Sequence, residues 1–210
     1  VSVTEIKDDP QSRQASAKLC SSEIKVELGK HSRSLIEQAD LVVISPGVPL
    51  DSLCVNWVKE YNKLLISEIE AASILCPAQI IAITGSNGKT TVTTLIGKVL
   101  EAAQKKVFVC GNIGNPFCDE VKKLRESDFV VLEVSSFQLE TIKDFKPKIA
   151  VILNLTPNHL DRYNNLQEYL DAKKRIFMNQ DRDDFLVLNG DDPLLTAAAS
   201  GAKSEVVFFT

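Results

Sequence analysis

Residues 81–91, Ile-Ala-Ile-Thr-Gly-Ser-Asn-Gly-Lys-Thr-Thr, constrain this chain more than any other stretch: an apolar β-type run gives way to a glycine loop and then to an amphipathic helix. Gly85 and Gly88 have access to backbone angles closed to other residues, so successive N–H groups can turn toward an anion. The helix that follows adds the positive end of its dipole. Lys89 supplies a full charge for phosphate, and the Thr90 hydroxyl stands where a nucleotide-bound Mg²⁺ would sit. Val92, Leu95, Ile96, Val99 and Leu100, spaced by three and four, predict one apolar helix face. The general phosphate-loop pattern asks for glycine at position 83, where this chain has Ile83. The bland alternative is a tight strand-to-helix turn with a surface lysine, and the periodicity on both sides favours the anion cradle.

At 210 residues the chain has room for one large domain or two small ones, and 44% hydrophobic with 25% charged residues is the balance of an ordinary globular protein. A net charge of -4 leaves no basic stripe to neutralise a nucleic-acid backbone, so no nucleic-acid partner is expected. No run approaches the about eighteen apolar residues of a membrane span, and the N-terminus has no signal-like segment. The expectation is a cytoplasmic protein without a membrane partner. The five cysteines, Cys20, Cys54, Cys76, Cys110 and Cys118, include no C-x-x-C pair and suggest neither zinc site nor disulfide framework. A cysteine nucleophile would need an activating histidine, and only His31 and His159 exist.

Strands are predicted at 1–4, 24–28, 40–45 and 64–67, with helical runs near 32–39 and 51–61, a parallel α/β pattern. A short helix over 68–75 meets Pro77, which cannot continue it and marks the expected junction. Beyond it, strands are predicted at 80–84, 107–110, 128–134, 148–154, 184–189 and 205–209, separated by helix-length connections. Several are continuously apolar, as strands covered on both faces are, so a parallel sheet between helices is expected. Ligands gather at the carboxyl ends of such strands. Both chain ends are expected to be cut, since residue 1 starts directly in a strand and residue 210 stops at the end of one.

Polar residues at those strand ends are the candidates for chemistry. Glu133 closes an apolar strand, where a carboxylate is costly to bury without a partner; Mg²⁺ is the natural one beside a phosphate loop, and a helix cap or a lysine pair is the alternative. His159 lies in the run 154–163 next to Asp161 and Arg162, a candidate ligand or a structural histidine. A helix is predicted over 166–180, and its apolar stripe of Leu166, Tyr169, Leu170, Ile176 and Phe177 contains Lys173. That lysine either snorkels to the rim or is pushed by desolvation toward the neutral, modifiable amine. Gly111-Asn112-Ile113-Gly114 follows another strand as a turn or a ligand-facing loop, and Asn115-Pro116 reads as an N-cap with proline at the first helical position.

Taken together, Thr84-Gly85-Ser86-Asn87-Gly88-Lys89-Thr90-Thr91, Gly111-Asn112-Ile113-Gly114, Glu133-Val134-Ser135-Ser136-Phe137-Gln138-Leu139-Glu140 and the run 154–163 resemble the Mur ligases of bacterial peptidoglycan synthesis. Sister ligases and folylpolyglutamate synthase share the phosphate loop but differ at the Glu133–Glu140 segment. The resemblance implies an α/β fold: a partial Rossmann-like, UDP-substrate-binding domain over 1–76, then a partial P-loop-type, ATP-binding central domain over 77–210 with a mostly parallel sheet between helices. It implies an ATP-driven amide synthesis in which D-glutamate is added to UDP-N-acetylmuramoyl-L-alanine through an acyl phosphate, with the diamino-acid-adding chemistry of a sister ligase, or a non-catalytic nucleotide-binding fragment, as alternatives. A monomer acting on these small molecules is expected.

The resemblance also assigns residues. Gly85, Ser86, Asn87, Gly88, Lys89, Thr90 and Thr91 would bind ATP; Thr90 and Glu133 would hold one Mg²⁺, and His159 with a carbamylated Lys173 the second. Lys89, His159 and Lys173 would be catalytic. A carbamate reverses the charge of Lys173 and so accounts for a lysine on an apolar face aimed at a cation. Asn112, Ser135 and Gln138 match substrate contacts, Ser45, Pro46 and Gly47 a loop near uracil and diphosphate, and Glu5 an acidic uridine contact. The first N-terminal strand with its glycine-rich turn, the rest of the ATP-binding domain and a third domain are expected to be missing, leaving a segment inactive alone.

Overall fold

The computed structural model describes residues 1–20, 22–157 and 162–210, which divide into two compact units, Val1–Leu65 and Ile66–Thr210. In the first unit β1 (Ser2–Glu5) leads through α1 (Pro10–Cys20) to β2 (Lys25–Leu28), which pairs with β1 in parallel with Ser2 opposite Lys25 and Glu5 opposite Leu28. Helix α2 (Arg33–Glu37), β3 (Leu41–Ile44), α3 (Leu53–Glu60) and β4 (Leu64–Ser67) follow, the unit ending at Leu65 within β4; β3 and β4 form a second two-stranded sheet. Ile36 of α2 and Val55 and Val58 of α3 are the buried apolar residues where those helices pack. Helix α1 is not anticipated by periodicity, because Pro-Gln-Ser-Arg-Gln-Ala-Ser-Ala-Lys-Leu-Cys buries no residue. Its start is nonetheless encoded: Asp9 Oδ1 accepts the Ser12 N–H at 2.8 Å and Pro10 occupies the first helical position.

The second unit begins with α4 (Glu68–Leu75), β5 (Gln79–Thr84), α5 (Lys89–Ala102), β6 (Val107–Gly111), α6 (Phe117–Val121) and β7 (Phe129–Glu133). It continues with α7 (Ser136–Leu139), β8 (Ile149–Ile152), α8 (Leu166–Lys174) extended by a 3-10 turn to Phe177, β9 (Phe185–Asn189), α9 (Pro193–Ala198) and β10 (Glu205–Phe209). The six strands stand in the order β10-β9-β8-β5-β7-β6, and every neighbouring pair is parallel. Side chains alternate faces along each strand, so Ile80 and Ala82 enter a core shared with α4, α8 and α9, whereas Ile81 and Ile83 face the core under α5. Both faces are covered, which is why these strands read as unbroken apolar runs.

Three details differ from the sequence expectations. The division falls between Leu65 and Ile66 and not at Pro77, because Ile69 and Ala72 of α4 are part of the second unit's core. On α5, Leu95 and Val99 are more than half exposed; the seam is made by Val92, Thr93, Ile96, Gly97 and Leu100, with Gly97 set so close to β6 that a Cβ would lie 2.5 Å from Val109 Cγ2. Pro116 is itself the cap of α6, one residue later than expected, and Asn115 instead donates from Nδ2 to Glu120 Oε1 at 2.6 Å.

Helix α4 is held by a buried carboxylate. Glu70 is 1% exposed and accepts the backbone N–H groups of Lys143, Asp144 and Phe145 at 3.0, 2.8 and 2.9 Å. Glu70→Ala would orphan three amides, each worth about 1 kcal/mol or more when buried and unpaired, so a loss of about 3 kcal/mol is expected in denaturant melts. A change below about 0.5 kcal/mol would show that water replaces the carboxylate.

Candidate functional site

Strand β5 ends in the sheet's centre, between β7 and β8, where the loop Gly85–Gly88 rises at its carboxyl end. Ile83 is fully buried and still paired with Val151 and Glu133, so the loop opens only after Thr84 and needs no glycine at position 83. Gly88 caps α5 in a left-handed conformation, φ +79, which a side chain would strain. The first intrahelical bond runs from Val92 N–H to Gly88 O at 3.0 Å, so the amides of Gly88, Lys89, Thr90 and Thr91 lie ahead of the helical ladder at its positive end. Ser86 and Asn87 do not add to that set: their N–H groups donate to Asn154, to its carbonyl at 3.1 Å and its Oδ1 at 2.9 Å.

Two lysines converge on the loop from different elements. Lys89 Nζ donates to the Gly85 and Ser86 carbonyls at 3.0 and 3.1 Å, and Lys173 Nζ, carried by α8, donates to the same Gly85 carbonyl at 3.0 Å and to Thr84 Oγ1 at 3.5 Å. Lys173 does not snorkel; it is 1% exposed and its ammonium sits 4.2 Å from the centroid of the Tyr169 ring. Burial, with the charge of Lys89 second, pushes its pKa down to about 7. Helix α8 is oriented by Arg175, whose guanidinium donates to the carbonyls of Leu139 and Ile142 at 2.7 and 2.6 Å. Tyr163 stacks between Phe137 and Tyr169, at 6.0 and 5.1 Å between centroids, and donates its hydroxyl to Glu140 at 2.6 Å.

On the other side of the loop, Glu133 at the end of β7 is 3% exposed. Its Oε2 accepts the Thr90 hydroxyl and its Oε1 the Asn112 amide, both at 2.8 Å. Among the described residues no cationic side chain forms an ion pair with it. A buried carboxylate with a hydroxyl beside it and no counter-charge fits a hard cation such as Mg²⁺, which takes carboxylate and hydroxyl oxygens together. Among the described residues, neither the cap nor the lysine pair weighed for Glu133 occurs. Asn112, expected as a substrate contact, reaches Glu133 twice, since its backbone N–H also donates to the Glu133 carbonyl at 2.9 Å.

That approach requires Gly111, φ +101, where a Cβ would stand 2.5 Å from the Glu133 carbonyl oxygen. Gly111→Ala is expected to cost about 2 kcal/mol and to weaken Mg²⁺-dependent nucleotide binding; unchanged stability and binding would show that β6 shifts freely.

The remaining expected site residues that the structure describes make local bonds. Ser135 and Gln138 form a reciprocal capping box for α7, the Ser135 hydroxyl accepting the Gln138 N–H at 3.3 Å and Gln138 Oε1 accepting the Ser135 N–H at 3.0 Å. Glu5, Ser45, Pro46 and Gly47 belong to the first unit: Glu5 ends β1 and accepts the Lys7 N–H at 2.9 Å, and Ser45 to Val48 is a turn after β3 closed at 3.0 Å. His159 lies outside the described residues. Burial and nearby carboxylates push the Cys110 and Cys118 thiols up to about 12, unlike a nucleophile. Sequence reading alone passed over Asn154, Thr156 and Tyr169 as individuals; an asparagine directly after an apolar strand, facing a glycine loop, is the one signal that points to the first.

Comparison with known proteins bears on the same region. The model of the Mur ligase middle domain matches residues 83–210. A UDP-N-acetylmuramoylalanine–D-glutamate ligase from Geotalea uraniireducens (strain Rf4) is 50% identical over 207 residues, covering 99% of this chain and 46% of the relative. One of the same name from Thermoanaerobacter sp. (strain X514) is 48% identical over 187 residues, 89% of this chain and 41% of the relative. The chain thus spans about half the length of the curated relatives it matches. Among solved structures, the UDP-N-acetylmuramate:L-alanyl-gamma-D-glutamyl-meso-diaminopimelate ligase from Neisseria meningitides superposes with TM-score 0.64 at 20% identity, over 100% of this chain and 69% of that one, a likeness of fold. The matched model spans the sheet from inside β5 to β10 with the loop, Glu133 and Lys173 described above, and by that match the chain belongs to the Mur ligase family.

Proposed function

We propose that these residues form the nucleotide and Mg²⁺ site of an ATP-dependent ligase that adds D-glutamate to UDP-N-acetylmuramoyl-L-alanine, the complete enzyme extending beyond this chain as its relatives do. The observation that carries the reading is the buried Glu133 carboxylate at the end of β7, 2.8 Å from the Thr90 hydroxyl and without a cationic partner among the described residues, beside the loop where Lys89 and Lys173 meet. The names of relatives about half identical to this chain support the choice of amino acid.

In the reaction the L-alanine carboxylate takes the γ-phosphoryl group of ATP, releasing ADP and leaving an acyl phosphate. The D-glutamate nitrogen then attacks the acyl carbon, phosphate departs, and the nitrogen gives up its proton as the amide forms. Such a transfer needs positioning and charge neutralisation more than covalent help. The amides of Gly88 to Thr91 would hold the phosphates, Lys89 would leave its loop carbonyls to neutralise the transferring group, and Thr90 and Glu133 would hold Mg²⁺. Mg²⁺ bound there would supply screening of the phosphate charge. Lys173, with its pKa lowered to about 7, has a populated neutral amine able to take up CO₂, and the resulting carbamate, with His159, would hold a second Mg²⁺. The enzyme is read as a cytoplasmic monomer acting on small molecules without nucleic acid; among the described residues no helix is long and apolar enough to cross a membrane.

Phosphate release by the complete ligase, measured with each substrate omitted in turn and with D-glutamate exchanged for diamino acids, tests this. Release only with ATP, Mg²⁺, the UDP precursor and D-glutamate together is expected. Equal release with a diamino acid would move the chain to the sister activity, and nucleotide binding with no release under any combination would make it a binding module.

A further inference from the structure

The nucleotide loop is held in shape by more than its own strand and the Lys89 side chain of its helix. Residues Ser86 and Asn87, between the end of β5 and the cap of α5, are laced to the segment that leaves β8. The Asn154 carboxamide accepts the Asn87 N–H at 2.9 Å and donates to the Asn87 carbonyl at 3.0 Å, standing in for a peptide group of a neighbouring strand. The Asn154 carbonyl accepts the Ser86 N–H at 3.1 Å. Ser86 Oγ accepts the Thr156 N–H at 2.9 Å and donates to its carbonyl at 3.1 Å, and Asn87 Nδ2 donates to Thr156 Oγ1 at 3.1 Å.

These bonds determine which way two peptide groups point. With the Ser86 and Asn87 amides turned to Asn154, the Gly85 and Ser86 carbonyls face Lys89, and the loop mouth is left to the amides of Gly88 to Thr91. A flipped Ser86 or Asn87 peptide would aim a carbonyl oxygen at the same space and repel phosphate. Neither peptide belongs to regular structure, and the pair lies between Gly85 and Gly88, whose backbones are permissive; the lysine ammonium groups hold the carbonyl ends of these peptides and Asn154 holds the N–H ends.

We infer that Asn154 is a positioning residue for the nucleotide: its carboxamide fixes the orientation of the loop peptides so that only N–H groups face the phosphates. The inference rests on the nucleotide reading above and adds a residue that acts through the loop without touching ATP.

The test is calorimetric titration of the complete ligase with ATP and Mg²⁺, and separately with the UDP precursor, in wild type, Asn154→Leu and Asn154→Asp. Leucine keeps the volume; aspartate keeps the acceptor for Asn87 N–H but sets an oxygen against the Asn87 carbonyl. Nucleotide affinity should fall by about tenfold or more in both variants, with precursor affinity changed by less than about twofold and KM for ATP raised more than kcat is lowered. A folded Asn154→Leu protein with nucleotide affinity within about twofold of wild type overturns the inference. Equal losses for both ligands overturn it as well, since that marks general destabilisation. If Asn154→Leu does not fold, Asn87→Ala and Thr156→Val, which remove single bonds of the lace, should each weaken ATP by about threefold, and no change in either overturns it. Failure of the wild-type protein to bind ATP would fault the nucleotide reading instead.

Discussion

Lys89→Ala in the complete ligase is expected to lower ATP-dependent phosphate release by about a thousandfold or more, the scale seen when a full positive charge is removed from a transferring phosphoryl group. The reason lies in what the loop has left. Its amides contribute partial charges at the start of α5, and Lys89 is the side chain that wraps over the loop, bridging the Gly85 and Ser86 carbonyls at 3.0 and 3.1 Å. Those two bonds join the ammonium to neutral carbonyls of the local backbone, so exchanging them for phosphate oxygens replaces neutral acceptors with anionic ones. Lys89→Arg should not rescue, because a rigid planar fork cannot fold back into a loop shaped around a point charge. Thermal melts of the variant should stay close to wild type, since the ammonium is not part of either core. Release within about tenfold of wild type would contradict the assignment.

Lys173→Met is expected to abolish turnover to a similar degree while making the protein more stable. Methionine nearly matches lysine in length and suits the surroundings of Tyr169, Leu170 and Ile176, but it can carry no carbamate. On the carbamate reading proposed above, formate or acetate would take the carbamate's place in the shortened Lys173→Ala variant, so partial rescue is expected there. The stability gain has a defined pH course. In the folded protein the Lys173 pKa is lowered to about 7 from an ordinary 10.5. Below pH 7 both folded and unfolded wild type are protonated there, and the folded protein bears the whole cost of a buried ammonium, on the order of a few kcal/mol.

From pH 7 to 10.5 the folded protein holds fewer protons than the unfolded one, so wild-type stability rises toward that of the variant. Urea melts in bicarbonate-free buffer should therefore show the largest advantage for Lys173→Met below pH 7 and a shrinking one above it. A wild type more stable than Lys173→Met at pH 6 would mean that the Gly85 carbonyl and the Tyr169 ring outweigh desolvation.

The fold of the second unit is legible in the residues because each parallel strand is a short apolar run covered on both faces, a pattern that needs no knowledge of its neighbours. Helix α1 escapes notice for the opposite reason: it buries nothing and leaves no period. Helix α5 is recognised as a helix but with its face turned, since Leu95 and Val99 satisfy the spacing equally well while the small residues Thr93 and Gly97 are what let it approach β6. Apolar periodicity reports that a face exists; steric fit to a particular strand chooses which.

The candidate site divides along the same line. Gly85, Gly88, Lys89 and Thr90 act within one strand-loop-helix segment, so their spacing along the chain already carries their geometry, and Glu133 and Lys173 stand out as charges inside apolar runs. The pairing of Thr90 with Glu133, the meeting of Lys89 and Lys173 at one carbonyl, the bond of Asn112 to Glu133 and the clasp of Asn154 on Asn87 join residues up to 88 positions apart. Local rules of backbone and helix were therefore enough to mark an anion loop in a parallel α/β protein. Which side chains share that loop was decided by the order of strands in the sheet, because β7 and β8, remote in sequence, are the two neighbours that bring their ends to β5.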